Sequence, residues 1–208
     1  MRHHCYDRGM PRWDPRAEER LGDAALELFV EHGYENVTVE QITERAGLTR
    51  RTFSRYFTDK RDVLFAGSEQ IPGVLSGAVR RADAALPPFQ ALLVALVDIG
   101  EWFADLVPHA ARRRAVIASS PELQERERTK LAAVTDALAE ALRERGTPTS
   151  RATLLAQVGI AVFRTAFERW TDEPEPADFA ARVREAATEL AASLAPAAGL
   201  ATVVPEDH

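Results

Sequence analysis

The chain has 208 residues, 26 Lys plus Arg against 32 Asp plus Glu, a net charge of −6, and 46% hydrophobic residues. That length supports a buried core in one or two domains, and a single cysteine excludes an intrachain disulfide and gives no sign of an oxidising compartment. No charged segment leading into an apolar core opens the chain and no run of 18 apolar residues occurs, so a cytoplasmic protein without membrane contact is expected.

Residues 1–15, MRHHCYDRGMPRWDP, lack apolar periodicity, and Pro11 and Pro15 oppose a helix, so this segment is expected to be a flexible basic arm. Arg2, Arg8, Arg12 and Arg16 could serve phosphates or a minor groove, although Asp7 and Asp14 dilute their charge. The adjacent His3, His4 and Cys5 cannot all converge on a tetrahedral ion without strain, and no metal site is expected.

A first helix follows, apolar at Leu21, Ala24, Ala25, Leu28 and Phe29 and ending near Gly33-Tyr34. From Thr38 to Leu64 the chain reads as two short helices joined by a glycine turn, with a third after them. Thr38 caps the first of these, and Gln41 three residues on completes a capping box. Val39, Ile42 and Ala46 form its apolar face, Gly47 makes the turn, Leu48 plugs the junction and Thr49 caps the next helix. That helix turns Phe53 and Phe57 inward and leaves Arg50, Arg51, Thr52, Ser54 and Arg55 facing out. Arginines at the leading end of such a helix suit a major groove, where a guanidinium spans O6 and N7 of guanine. Asp59 is the expected cap of the helix after it, with Lys60 and Arg61 at its start near phosphates.

Residues 1–61 carry eleven Lys plus Arg against eleven Asp plus Glu, leaving 15 against 21 in the rest. Between 45 and 61, however, six basic residues, Arg45, Arg50, Arg51, Arg55, Lys60 and Arg61, face a single acid, Asp59. A basic patch on an acidic body confines nonspecific attraction for DNA to one face.

The run Thr38, Ile42, Ala46-Gly47-Leu48-Thr49, Thr52-Phe53, Tyr56-Phe57, Lys60 and Leu64, with the helix before it, resembles the TetR family of bacterial transcriptional regulators over residues 16–65. The resemblance implies an operator-binding domain joined to a body that holds a small-molecule effector and a dimer partner. It also assigns Thr38 and Lys60 to phosphates, Arg50, Arg51 and Thr52 to bases or nearby phosphates, and Tyr56 to the DNA backbone, with Thr49 and Arg55 beside them. Ser54 departs from the pattern, since the family commonly has an aromatic there and serine is too short for the same contact.

Further helices are expected near 60–85, with a kink or split at Pro72-Gly73, and at 88–106, 108–119, 121–145, 150–171 and 177–195. The expected fold is all-α with about nine helices: a reader at 16–62, an effector-binding and dimerisation domain at 63–195, and a flexible tail at 196–208. The segment 88–106 is apolar on nearly every side, which suits a central helix. Leu155, Val158 and Val162, with Phe179, Val183, Ala187 and Leu190, are the expected dimer face, in which the last two helices meet a symmetry mate. An apolar effector pocket could draw on Phe89, Leu93, Leu96, Trp102, Phe103, Ile117, Val134, Leu138, Phe163 and Phe167, with Arg113 of the Arg112-Arg113-Arg114 run at its mouth for a phosphate or carboxylate. The run 112–131 also resembles the C-terminal domain of the mycofactocin-linked TetR branch, which implies an acyl-coenzyme-A-like ligand. Glu122, Glu125 and Glu127 with Arg126 and Arg128 read as surface pairs.

No G-x-S-x-G, phosphate-binding loop, paired CxxC, HExxH or G-x-G-x-x-G occurs, so no enzyme and no cofactor are expected. The reading is therefore a homodimeric, ligand-released repressor of a palindromic operator on double-stranded DNA. The competing reading is an all-helical small-molecule-binding protein or enzyme without operator binding.

Overall fold

The computed structural model describes residues 16–106, 109–173 and 178–194, with side chains at the same positions except 101–106. The described chain is helical and divides between Ala66 and Gly67 into two compact units, here the reader and the body. The expected arm at 1–15 and tail at 196–208 lie outside the described residues, as do the side chains of Trp102 and Phe103.

The reader consists of α1 (Ala17–His32), α2 (Val39–Arg45) and α3 (Arg50–Tyr56). Its core follows from helical spacing: Leu21, Ala25, Leu28 and Phe29 of α1 are buried with Ile42 of α2, Phe53 of α3 and Phe57 just after it. Full burial of a side chain such as Phe53 is worth about 1.5–3 kcal/mol, a large share of the stability of so small a unit. The α2 start is the expected capping box, with the Thr38 hydroxyl accepting from Gln41 N–H at 3.3 Å and Thr38 N–H donating to Gln41 Oε1 at 2.8 Å. Its end is a left-handed glycine turn: Gly47 at φ +63° donates to the Glu44 carbonyl and Leu48 to that of Thr43. A side chain at Gly47 would meet both that φ and the Arg20 guanidinium, which donates to the Ala46 carbonyl.

The segment expected as one helix over 60–85 is built differently. Asp62–Phe65 and Ser68–Gln70 are single 3-10 turns, Gly67 takes φ +72°, and α4 runs only from Ile71 to Arg81. Pro72 thus stands in the first turn of α4, where its missing N–H costs no helical bond, rather than inside a kinked helix. Asp59 does accept from Arg61 and Asp62 N–H groups, at 2.8 and 3.3 Å, but the element that follows is a 3-10 turn with Arg61 at its cap position, not an α-helix capped by Asp59.

The body contains α4, α5 (Pro88–Leu106), α6 (Ala110–Ser119), α7 (Pro121–Glu144), α8 (Thr149–Asp172) and α9 (Phe179–Leu194). As its wide apolar face implies, α5 is central, packing on α4, α8 and α9. Leu92, Leu96 and Ile99 of α5 share one core with Leu75 and Val79 of α4, Val134, Leu138 and Leu142 of α7, Ile160 and Trp170 of α8, and Phe179 and Val183 of α9. The crossing of α5 and α8 depends on Gly159, where a Cβ would stand 2.3 Å from Leu92 Cδ2. Asp178 caps α9 by accepting from Ala180 N–H at 2.9 Å.

Candidate nucleic-acid interface

Burial of Phe53 and Phe57, whose ring centroids lie 5.4 Å apart, fixes which side of α3 faces outward. Arg50, Arg51, Ser54 and Arg55 are exposed on that side, and Thr52 and Tyr56 are half-buried at its edge. Thr49 caps α3 by accepting from Thr52 N–H at 3.1 Å, and the two threonine hydroxyls lie 3.0 Å apart. Thr38 and Thr49 are both exposed, so each can cap its helix and still present its surface.

The patch that looks nearly unopposed along the chain is opposed in space. Arg45 reaches back to α1, pairing with Glu27 at 3.2 Å and Glu31 at 2.9 Å, and the bond from Arg45 holds the Glu31 carboxyl below its ordinary range. Arg50 pairs with Glu40, and Arg61 pairs with Asp59, whose carboxyl is likewise lowered by that hydrogen bond. The Lys60 ammonium donates to the carbonyls of Tyr34 at 2.8 Å, Val37 at 3.1 Å and Glu35 at 3.4 Å, and lies 4.2 Å from the Tyr34 ring centroid. Arg51 and Arg55 alone of the six have no ion pair or hydrogen bond among the described residues, and Arg55 leans on the Tyr56 ring at 5.8 Å. The excess of six bases over one acid is therefore a property of the numbering, since Glu27, Glu31 and Glu40 are brought in by the fold.

In the body, two groups of expected site residues separate. Val162, Phe179 and Val183 belong to the core of a single chain, Val183 with no accessible area, which corrects their expected place in a dimer face: a side chain already buried has no surface to offer a partner. Leu155, Val158, Ala187 and Leu190 are only half-buried, and Leu154 on α8 and Leu194 on α9 are exposed beside them. Among the pocket residues, Leu96, Val134 and Leu138 are fully buried in the core, with Phe89, Leu93, Phe163 and Phe167 packed around it; Ile117 is half-buried on α6.

Arg113 is half-buried on α6 and interacts with Glu127 of α7, which is paired with Lys130 at 2.7 Å. Burial pushes both cations below their ordinary ranges, and Glu127 offsets this. Glu127 is thus part of a half-buried charge cluster between α6 and α7, whereas Glu125 and Arg128 pair on the open surface. Glu40 and Lys130 are residues that periodicity could not single out, because Glu40 acquires its partner across the inter-helix turn and Lys130 is set beside Glu127 and Arg113 where α6 packs on α7. No group of three or more His, Cys, Asp or Glu that could hold a metal occurs among the described residues, and no described helix is long and apolar enough to cross a membrane.

Two short helices around a left-handed glycine, the second with phenylalanines inward and arginines outward, define a helix-turn-helix DNA-binding regulator. The domain pattern of "Bacterial regulatory proteins, tetR family" matches residues 21–66, and that of the "MftR C-terminal domain" matches residues 86–195. The chain belongs to the TetR family of transcriptional regulators, which are not enzymes, and its body is of the MftR type. The putative mycofactocin biosynthesis transcriptional regulator MftR of Mycobacterium tuberculosis is 29% identical over 154 residues, 72% of this chain and 77% of that protein. The transcriptional activator FasR of Mycolicibacterium smegmatis is 26% identical over 79% of this chain and 77% of its own length. The fold is shared with FadR of Bacillus subtilis, solved in complex with stearoyl-CoA, at a TM-score of 0.57 and 19% identity over 81% of this chain and 94% of that one.

Proposed function

We propose that this regulator is a homodimeric repressor that occupies a palindromic operator and is released by a long-chain acyl-CoA or a similar amphiphilic acid. Two copies of α3 enter successive major grooves about 34–36 Å apart. Arg51 and Arg50 read bases, Arg55 and Tyr56 meet the backbone, and Thr38, Thr49 and Thr52 set the register. Effector binding in the body reaches the reader along the 3-10 turns and α4, the segment that joins the units in sequence, and a coupling of about 1–3 kcal/mol changes operator affinity roughly 5- to 150-fold.

The observation that carries the effector class is the half-buried cluster of Arg113 on α6 with Glu127 and Lys130 on α7, the helix that brings Val134 and Leu138 into the apolar core. Half-buried cations next to an apolar interior suit an anionic head on a long chain. The stearoyl-CoA held by the Bacillus protein of the same fold supports the choice of ligand. The reading as a repressor rests on occlusion of the operator by the bound dimer, and the FasR relative is an activator by name.

The test is fluorescence anisotropy with a duplex from immediately upstream of the protein's own gene. Stearoyl-CoA is expected to lower affinity at least fivefold, and Arg113→Gln to abolish that response while leaving ligand-free DNA binding intact. Unchanged DNA affinity in saturating stearoyl-CoA rules this effector class out. Arg51→Ala is expected to weaken binding to that duplex by about 1–3 kcal/mol, the worth of a bidentate guanine contact; full affinity removes Arg51 from the base-reading set.

A further inference from the structure

One carboxylate lies within the DNA-reading surface itself. Glu40 is in the first turn of α2, Arg50 is the first residue of α3, and their side chains form an ion pair across the glycine turn. Neither backbone is free to drift, because the Thr38–Gln41 capping box holds the start of α2 and Thr49 caps α3. Both side chains remain open to solvent, 74% for Arg50 and 59% for Glu40, so the pair can be broken when DNA arrives. Arg51 and Arg55, on the same outward side of α3, have no such carboxylate among the described residues.

We infer that Glu40 is a specificity-determining positioning residue, which holds Arg50 back from DNA phosphates at non-cognate sites and releases it to a base contact at the operator. The inference rests on Arg50 being a DNA contact. An arginine paired with a carboxylate brings no net charge to the polyanion and displaces no counterion, so at a random site Arg50 contributes little attraction. Breaking the pair costs the same on every sequence. A bidentate base contact exceeds that cost, whereas a loose, salt-screened phosphate contact does not. Specificity then comes partly from weakening the wrong complexes. General attraction is left to Arg51 and Arg55.

The experiment compares wild type, Glu40→Gln, Arg50→Ala and the double variant, each verified as folded by circular dichroism. Binding to the upstream duplex and to a scrambled duplex of equal composition is measured between 50 and 200 mM salt. With Arg50 present, Glu40→Gln is expected to steepen the salt dependence for scrambled DNA by about one phosphate, roughly a 3.5-fold larger loss over that range at a slope of ~0.9 per phosphate. It is also expected to lower the ratio of upstream to scrambled affinity. In the Arg50→Ala background the same substitution should do neither. An equal change in both backgrounds makes Glu40 a mere surface charge and overturns the inference, as does no change in either. If Arg50→Ala alone leaves affinity and salt dependence intact, the assignment of Arg50 to DNA has failed as well, and the two failures are thereby distinguished.

Discussion

Lys60 illustrates how far a side chain's surroundings can redirect it. A lysine after the recognition helix invites a phosphate role, yet its ammonium is spent on three carbonyls and the ring of the Tyr34 turn, stitching the end of α1 to the segment after α3. Hydrogen bonds from a charged donor are worth about 1.5–3 kcal/mol, and partial exposure brings the expected loss in Lys60→Met to about 1–2 kcal/mol by urea unfolding. DNA affinity should then fall only with the folded fraction, and its salt dependence should stay as in wild type. Arg55→Ala, by contrast, is expected to flatten that dependence by about one unit without loss of stability. A flattened dependence in Lys60→Met would restore the phosphate assignment. The caps at Thr38 and Thr49 were legible in the sequence because each acts within three residues of itself. The partners of Arg45 and Arg50 were not, since Glu27, Glu31 and Glu40 lie ten or more residues away along the chain.

Among the elements, α8 shows what periodicity conveys and where it stops. Its span, Thr149–Asp172, lies close to the 150–171 expected from apolar spacing, and so do those of α5, α6, α7 and α9. Leu154, Leu155, Val158, Val162, Phe163, Ala166, Phe167 and Trp170 are too many for one side of α8, and their spacing does not say which side meets α5 and which is left over. Gly159 decides this, because only there can the Leu92 side chain lie directly against the α8 backbone. Leu92 is fully buried and has no room to turn. Gly159→Ala is therefore expected to destabilise the body by up to about 2 kcal/mol, with overpacking of about 1–3 kcal/mol set against roughly 1 kcal/mol of improved helix propensity. In a Leu92→Ala background the same substitution should become neutral or stabilising, and an unchanged penalty would locate the strain elsewhere. The segment 60–85 departs from a single helix for a local reason: its helical residues are interrupted by Gly67 in a left-handed conformation, ahead of Pro72-Gly73.

At the scale of the whole molecule, the body keeps an apolar strip after its own core is filled. Leu154, Leu155 and Val158 on α8 and Ala187, Leu190 and Leu194 on α9 keep accessible apolar area, and we propose that a second copy covers it. Leu154 is 57% exposed within one chain, so Leu154→Glu should leave the fold of the protomer intact. Sedimentation equilibrium is expected to show a shift from dimer to monomer, with the cooperative binding of two half-sites lost; an unaltered dimer would move the interface away from this strip. The sequence by itself determined the helices outside 60–85, the caps at Thr38 and Thr49, the glycine turn and the family, because those depend on residues within a few positions of one another. Only the tertiary structure decided which arginines of the reader are held by carboxylates, that Glu127 sits half-buried with two cations, and which apolar residues belong to the core of one chain. Each of those depends on what a neighbouring helix brings to the same place, and a periodic pattern records the face a residue occupies without recording what the face meets.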